Sequence, residues 1–296
     1  MKENTRNEYE KAVNRVIDYI NHHLFDAPDI KHLAGIANIS EYHFHRIFKT
    51  VIGENIGEYI NRLRLEYIAE YLQTTRFSLD EIAAKTGYGT KYALSKAFKK
   101  HFGVSPSAYR SQDKDPFNFF GRNERKIMEL APEMREVPPK KVVYIRIIDW
   151  YGSPDSYRAA WKKLGQFAKK NSLVDKTTEF IGLSFDNPTI TAPENCRFYA
   201  CITTSKEVKP TGPFGILNIG GGLYAVFTLK GPYDGLLDMF YNIFFRWLPE
   251  SGYKLRNGGS FEKYLNNPDH VSPDELLTEI YVPVAKRNRK ELKNEA

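Results

Sequence analysis

The chain has 296 residues, suited to two domains rather than one small module, and its 42% hydrophobic and 27% charged content excludes disorder, collagen and coiled coil. Its apolar stretches, such as Gly220–Phe227, fall far short of the roughly 20 residues of a membrane span. The opening Met1-Lys-Glu-Asn-Thr-Arg6 is polar rather than an apolar signal core, so a reduced, cytoplasmic protein with no membrane association is expected. The net charge of +7 permits nucleic-acid binding, but residues 1–120 carry 17 basic and 15 acidic side chains and so contribute little of it. The informative charge is local: Tyr88–Gly103 holds Lys91, Lys96, Lys99 and Lys100 and no acid.

The first third contains a repeat. A shift of 50 lays Ser40–Gly53 over Thr90–Gly103, with Tyr42/Tyr92, Phe48/Phe98, Lys49/Lys99 and Gly53/Gly103 coinciding. Upstream the shift becomes 49, and Asp29–Ala34 matches Ser78–Ala83. Each unit reads as two short helices. Asp29 and Ser78 are N-caps, the latter in a capping box with Glu81. Asn38 and Gly87 tolerate the left-handed turn, and Ser40 and Thr90 cap the second helix. That helix buries Phe44, Ile47, Phe48 and Val51 in one copy, and Leu94, Ala97 and Phe98 in the other. This is a helix-turn-helix pattern, twice.

The outward face of each second helix carries Glu41, Tyr42, His45, Arg46 and Lys49, then Lys91, Tyr92, Ser95, Lys96 and Lys99. Such residues reach guanine edges and phosphates in a major groove; an ordinary solvated helix face is the plainer alternative. Between the copies, Ile56–Leu72 reads as one amphipathic helix of roughly 25 Å, suited to holding two readers in adjacent grooves. With Ile82–Tyr88 before the second reading helix and Phe98–Arg110 after it, residues 8–110 resemble the DNA-binding domain of the AraC/XylS family of transcription regulators. The resemblance implies base-facing roles for Tyr42, His45, Arg46, Lys91, Tyr92, Ser95 and Lys96, promoter DNA as partner and contact with RNA polymerase. The domain stands at the N-terminus, so its partner domain must follow.

Six of the seven histidines lie in this first domain, but His43-x-His45 does not place two ligands on one helix face, and no metal or other cofactor is expected. Residues 113–136 read as a polar linker. A second duplication follows at a shift of 80: Asn187-Pro188 over Asn267-Pro268, and Pro193-Glu194 over Pro273-Asp274. Each half reads strand (141–148; 222–229), helix (156–171; 234–249), strand (179–186; 260–266), strand (197–204; 277–284). The expected fold is multidomain: an all-α double helix-turn-helix domain at 1–112, then an α+β domain of two β-α-β-β repeats at 137–285 and a basic tail at 286–296. A pseudo-twofold axis should leave a groove between equivalent helices. Cys196 and Cys201, five apart in one expected strand, point to opposite faces and do not pair.

Through Gly222–Tyr233, Trp247–Tyr253, Phe261–Pro268 and Thr278–Val284, residues 137–285 resemble the GyrI-like domain, also the effector domain of Rob-like and multidrug-sensing regulators. The resemblance implies that Glu279 meets a cationic, lipophilic effector in an aromatic pocket; a surface carboxylate paired with a lysine is the alternative. Tyr199 is its repeat mate, and Tyr264, Trp150 and Trp161 are candidate walls or core residues. The expected function is sequence-specific DNA binding and transcription regulation, as an activator by family resemblance, with a small-molecule effector and no enzymatic role. The alternatives are hydrolysis of strained electrophiles by the pocket glutamate and protein docking or sequestration.

Overall fold

The computed structural model describes residues 3–26, 28–111, 127–256 and 258–287. Two compact units emerge, one helical and one built on a sheet. The described helical residues form α1 (Glu3–His23), α2 (Ile30–Ala37), α3 (Glu41–Ile52), α4 (Ile56–Thr74), α5 (Leu79–Lys85), α6 (Lys91–Phe102) and α7 (Pro106–Ser111). Local chemistry sets their ends. The Asp29 carboxylate accepts from the His32 amide at 2.6 Å, and Asn38 closes α2 at φ 58°. Ser78 and Glu81 form the capping box of α5, and the Thr90 hydroxyl accepts from the Ala93 amide. Ser40 has cap backbone geometry but makes no side-chain cap bond. Ser105 caps α7, whose first residue is Pro106.

The connecting helix α4 serves two cores. Tyr59 and Leu63 pack with Phe44 and Phe48 of α3 and with α1, whereas Leu65, Ile68 and Leu72 pack with Ile82, Leu94, Phe98 and Tyr109. Each helix-turn-helix therefore has its own apolar support, and one rigid rod of about 28 Å joins them. Gly87 ties the second turn to the first unit. It sits at φ +76°, and a Cβ there would lie 2.9 Å from the Phe25 carbonyl oxygen, too close for any other residue.

The second unit contains β1 (Glu133–Val137), β2 (Lys140–Ile148), α8 (Pro154–Lys170), β3 (Phe180–Ser184), β4 (Arg197–Thr203), β5 (Phe214–Ile219), β6 (Gly222–Lys230), α9 (Leu236–Tyr241), α10 (Leu248–Glu250), β7 (Tyr253–Leu255), β8 (Phe261–Tyr264) and β9 (Leu277–Lys286). Among the described residues the sheet runs β1-β6-β9-β8-β3-β4-β2-β5, with β7 on β9. The order is a palindrome of the two repeats, and β3–β8 is the seam.

Three expectations change. Residues 133–136, read as linker, belong to β1, which pairs with β6 of the second repeat, while its counterpart β5 lies beside β2 of the first. Each repeat therefore opens with a strand lent to the other. The helix expected at 234–249 is not uniform: a 3₁₀ turn at Tyr233–Gly235 and α9 lead into a π-helical turn, Asn242–Trp247, before α10. Pro249 has no N–H for the Phe245 carbonyl and its ring crowds it, so the last turn widens. Of the expected tail, Lys286 ends β9, and residues 288–296 lie outside the described residues, as do linker residues 113–126.

Candidate nucleic-acid interface and buried-carboxylate groove

Helices α3 and α6 are amphipathic because Phe44, Ile47 and Phe48, and Leu94 and Phe98, are buried on one side. On the other side Tyr42 and Tyr92 are 71% and 77% exposed, a high exposure for tyrosine. His45, Arg46 and Lys96 are also exposed, and Ser95 is half-buried. The Arg46 guanidinium lies 6.0 Å from the Tyr42 ring centroid, so the two side chains are neighbours one turn apart on the same helix face. Lys91 differs. Its ammonium reaches Asp80 of α5 at 3.0 Å, and that hydrogen bond raises its pKa. The seven candidate readers thus lie on two equivalent helix faces, with Lys91 already partnered by an acid that sequence reasoning did not single out.

A second feature missed in the sequence is buried charge behind the readers. Arg62 of α4 donates to Glu54, just beyond α3, and to Glu66, and it is 8% exposed. Arg64 donates to the Leu24 carbonyl at 2.8 Å, and the Tyr88 hydroxyl donates to Asn61 at 3.1 Å. These bonds anchor both units on the connecting rod. An arginine at the wrong phase for a surface helix face was the available signal.

In the sheet unit, the five candidate effector residues do not converge. Side chains alternate across β9: Ile280, Val282 and Val284 pack against Met239 and Ile243 of the second helix, whereas Tyr281 packs with Tyr144, Tyr199 and Phe261 on the opposite face. Glu279 shares the Tyr281 face, as does Tyr199. Tyr264 and Trp161 belong to the helix face, their rings 5.7 Å apart and edge-on. Trp150 is 49% exposed in the turn before α8. Glu279 and Tyr199 are therefore separated from Tyr264 and Trp161 by the sheet itself.

What the helix face brings together is a different carboxylate. Glu262 is 5% exposed and pairs across the seam with Gly182. Tyr264 donates to it at 2.5 Å, and Tyr264 in turn meets Trp161 of α8 and Tyr233, which precedes α9. Among the described residues no basic side chain offsets the burial of Glu262, and the Tyr264 hydroxyl is the group that does. The alternation Phe261-Glu-Lys-Tyr264, an acid one residue from a buried phenylalanine, was its signal in the sequence.

Residues 130–285, just over half of the chain, match the family described as the GyrI-like small molecule binding domain. The chain belongs to the GyrI-like family. Ahead of the GyrI-like domain, residues 33–112 match a helix-turn-helix domain family. Over the whole length the chain is similar to the F1 operon positive regulatory protein of Yersinia pestis, 27% identical over 92% of this chain and 89% of that one. It is also similar to the transcriptional regulator Rob of Salmonella typhimurium, 24% identical over 92% and 97%. The probable transcriptional regulator YgiV of Escherichia coli is 33% identical over 45% of this chain and 84% of its own.

The two carboxylates of the GyrI-like domain differ in electrostatics. Burial pushes the Glu262 carboxyl up to about 7, which the Tyr264 hydrogen bond only partly offsets. A buried carboxylate bonded to Tyr264, whose ring meets those of Trp161 and Tyr233, suits an incoming lipophilic cation: the charge meets its counter-ion and aromatic faces lie nearby. Glu279 is already compensated. Arg135 of β1 donates to it at 2.7 Å, and the Tyr281 hydroxyl also donates at 2.7 Å. Its partner is thus a half-buried arginine of β1 rather than a surface lysine. Cys196 and Cys201 are buried thiols, and burial raises the Cys201 thiol. Among the described residues no helix is long and apolar enough to cross a membrane.

Proposed function

We propose that this chain, a DNA-binding transcription regulator with a GyrI-like small-molecule binding domain, reads an asymmetric promoter site through α3 and α6 and senses a lipophilic cation at Glu262. The carrying observation is the doubled reader. Two helices of equal length, each closed by a left-handed glycine, present Tyr42, His45, Arg46 and then Tyr92, Ser95, Lys96 to solvent from one connecting rod. Because the two faces differ in sequence, one protomer reads two unlike boxes in adjacent grooves. The DNA-binding domain spans 1–112 and the effector-binding domain begins at the lead strand, Glu133. Activation through RNA polymerase and a cytoplasmic location complete the reading, supported by relatives that include positive regulators.

The test is selection from random duplex DNA with the purified full-length protein, followed by titration of the selected duplex with and without tetraphenylphosphonium. The expected result is an enriched asymmetric site of two short boxes about one helical turn apart, whose affinity the cation changes. Bulk binding that only tracks salt would overturn it.

One observation favours a second reading, in which the domain hydrolyses a strained electrophile. A carboxyl poised at about 7 with a tyrosine hydroxyl at 2.5 Å has the makings of a general base. Turnover that disappears in Glu262→Gln supports that reading, and saturable cation binding without turnover supports effector sensing.

A further inference from the structure

Thr278 lies on β9 directly opposite Tyr264, so its side chain shares the helix face with Glu262 and Tyr264. It is fully buried, and among the described residues its hydroxyl has no hydrogen-bond partner. The neighbouring hydroxyl of Tyr264 is committed to Glu262. A buried hydroxyl left unbonded is a standing cost that folded proteins seldom carry without a use. The repeat sharpens the point. The counterpart of Thr278 in the first half is Phe198, whose ring stacks on Tyr157 at 4.6 Å. One half fills this position with an apolar ring, and the other places a small polar group there. A valine, the same shape without the hydroxyl, would satisfy the packing alone.

We infer that Thr278 is a specificity-determining effector contact, selecting lipophilic cations that also carry a hydrogen-bonding group. The inference rests on Glu262 as the cation site. Thr278 is the diagonal cross-strand neighbour of Glu262, about 7–8 Å away between backbones. One bound aromatic cation spans both residues. Glu262 takes the charge, Trp161, Tyr233 and Tyr264 take the rings, and Thr278 bonds a hydroxyl or carbonyl on the effector. The pocket thereby distinguishes a substituted cation from a purely hydrocarbon one, because only the former satisfies the hydroxyl.

The experiment titrates the full-length protein calorimetrically with tetraphenylphosphonium and its ortho-, meta- and para-monohydroxylated analogues. In the unmodified protein at least one hydroxylated isomer is expected to bind about fivefold or more tightly than the parent. That preference should vanish in Thr278→Val and persist in Thr278→Ser, while the parent binds all three proteins alike. A preference that survives in Thr278→Val, or no preference for any isomer in the unmodified protein, overturns the role of Thr278 and leaves Glu262 standing. Failure of all four probes to bind, or equal binding to Glu262→Gln, overturns the cation site and this inference with it.

Discussion

Gly182 and Glu262 stand opposite each other across the β3–β8 seam, at positions that the repeat exchanges. The same site is occupied once by no side chain and once by a carboxylate. A Cβ at Gly182 would collide with the Tyr264 hydroxyl and the Phe198 ring. The glycine is therefore the space into which Tyr264 reaches to bond Glu262. Gly182→Ala should destabilise the domain by about 1–3 kcal/mol through overpacking. It should also weaken tetraphenylphosphonium binding, since Tyr264 is pushed off the carboxylate. Denaturant unfolding and calorimetry on the same sample check both effects, and an unaltered affinity would argue against Tyr264 as an orienting residue.

Cation affinity should depend on pH through Glu262. Burial pushes its carboxyl up to about 7, so a cation binding the charged form must expel a proton at lower pH. Affinity should fall close to tenfold per pH unit below about 7 and level off above it. The stability of the ligand-free domain should run the other way. A carboxyl raised above its unfolded value favours folding below the unfolded pKa. That advantage, roughly 3 kcal/mol, is lost as pH rises through about 7. A pH-independent affinity, or a profile unchanged in Glu262→Gln, would remove Glu262 from the site.

Glu279 provides the contrast. Its charge is committed to Arg135 and Tyr281 on the other face of the sheet. Glu279→Gln should leave tetraphenylphosphonium affinity within about twofold. It should destabilise the domain by only about 1 kcal/mol, because the Arg135 left behind is partly solvated and keeps Glu133 as a partner. Thermal unfolding together with the cation titration separates the two carboxylates. Reversed outcomes would restore Glu279 as the effector contact.

Within the DNA readers, Arg46→Ala and Lys96→Ala should each cost about 1–3 kcal/mol on a selected duplex and relax the sequence preference of one box each. Lys91→Ala should cost less than Lys96→Ala, since Asp80 already partners that ammonium. Fluorescence anisotropy on matched and box-scrambled duplexes measures these differences. Equal losses on both duplexes would mean phosphate contacts rather than base reading.

Arg62 is the ion-paired support behind the first reader. Arg62→Met should destabilise the helical unit by about 3 kcal/mol, because it strands Glu54 and Glu66 in a poorly solvated site. Adding Glu54→Gln and Glu66→Gln should recover much of the loss. Urea unfolding of the single and triple variants decides this. No recovery would show that the arginine acts through packing against Tyr59 instead.

The helix-turn-helix copies were legible in the chain because their determinants are local. Caps at Asp29, Ser78 and Thr90, left-handed turns at Asn38 and Gly87, and the 3.6-residue spacing of Phe44, Ile47 and Phe48 all act within a few residues. The duplication at a shift of 80 likewise revealed the strand and helix order of the second unit. The lead strand β1 was not legible, since Glu133-Met-Arg-Glu-Val137 is too polar to read as a strand until β6 supplies its hydrogen bonds. Nor was the choice between Glu262 and Glu279. Alternation along a strand says that neighbouring side chains point to opposite faces. It does not say which face the helices cover or which carboxylate an arginine 144 residues away will neutralise. Those are properties of long-range pairing, and only the tertiary structure decided them.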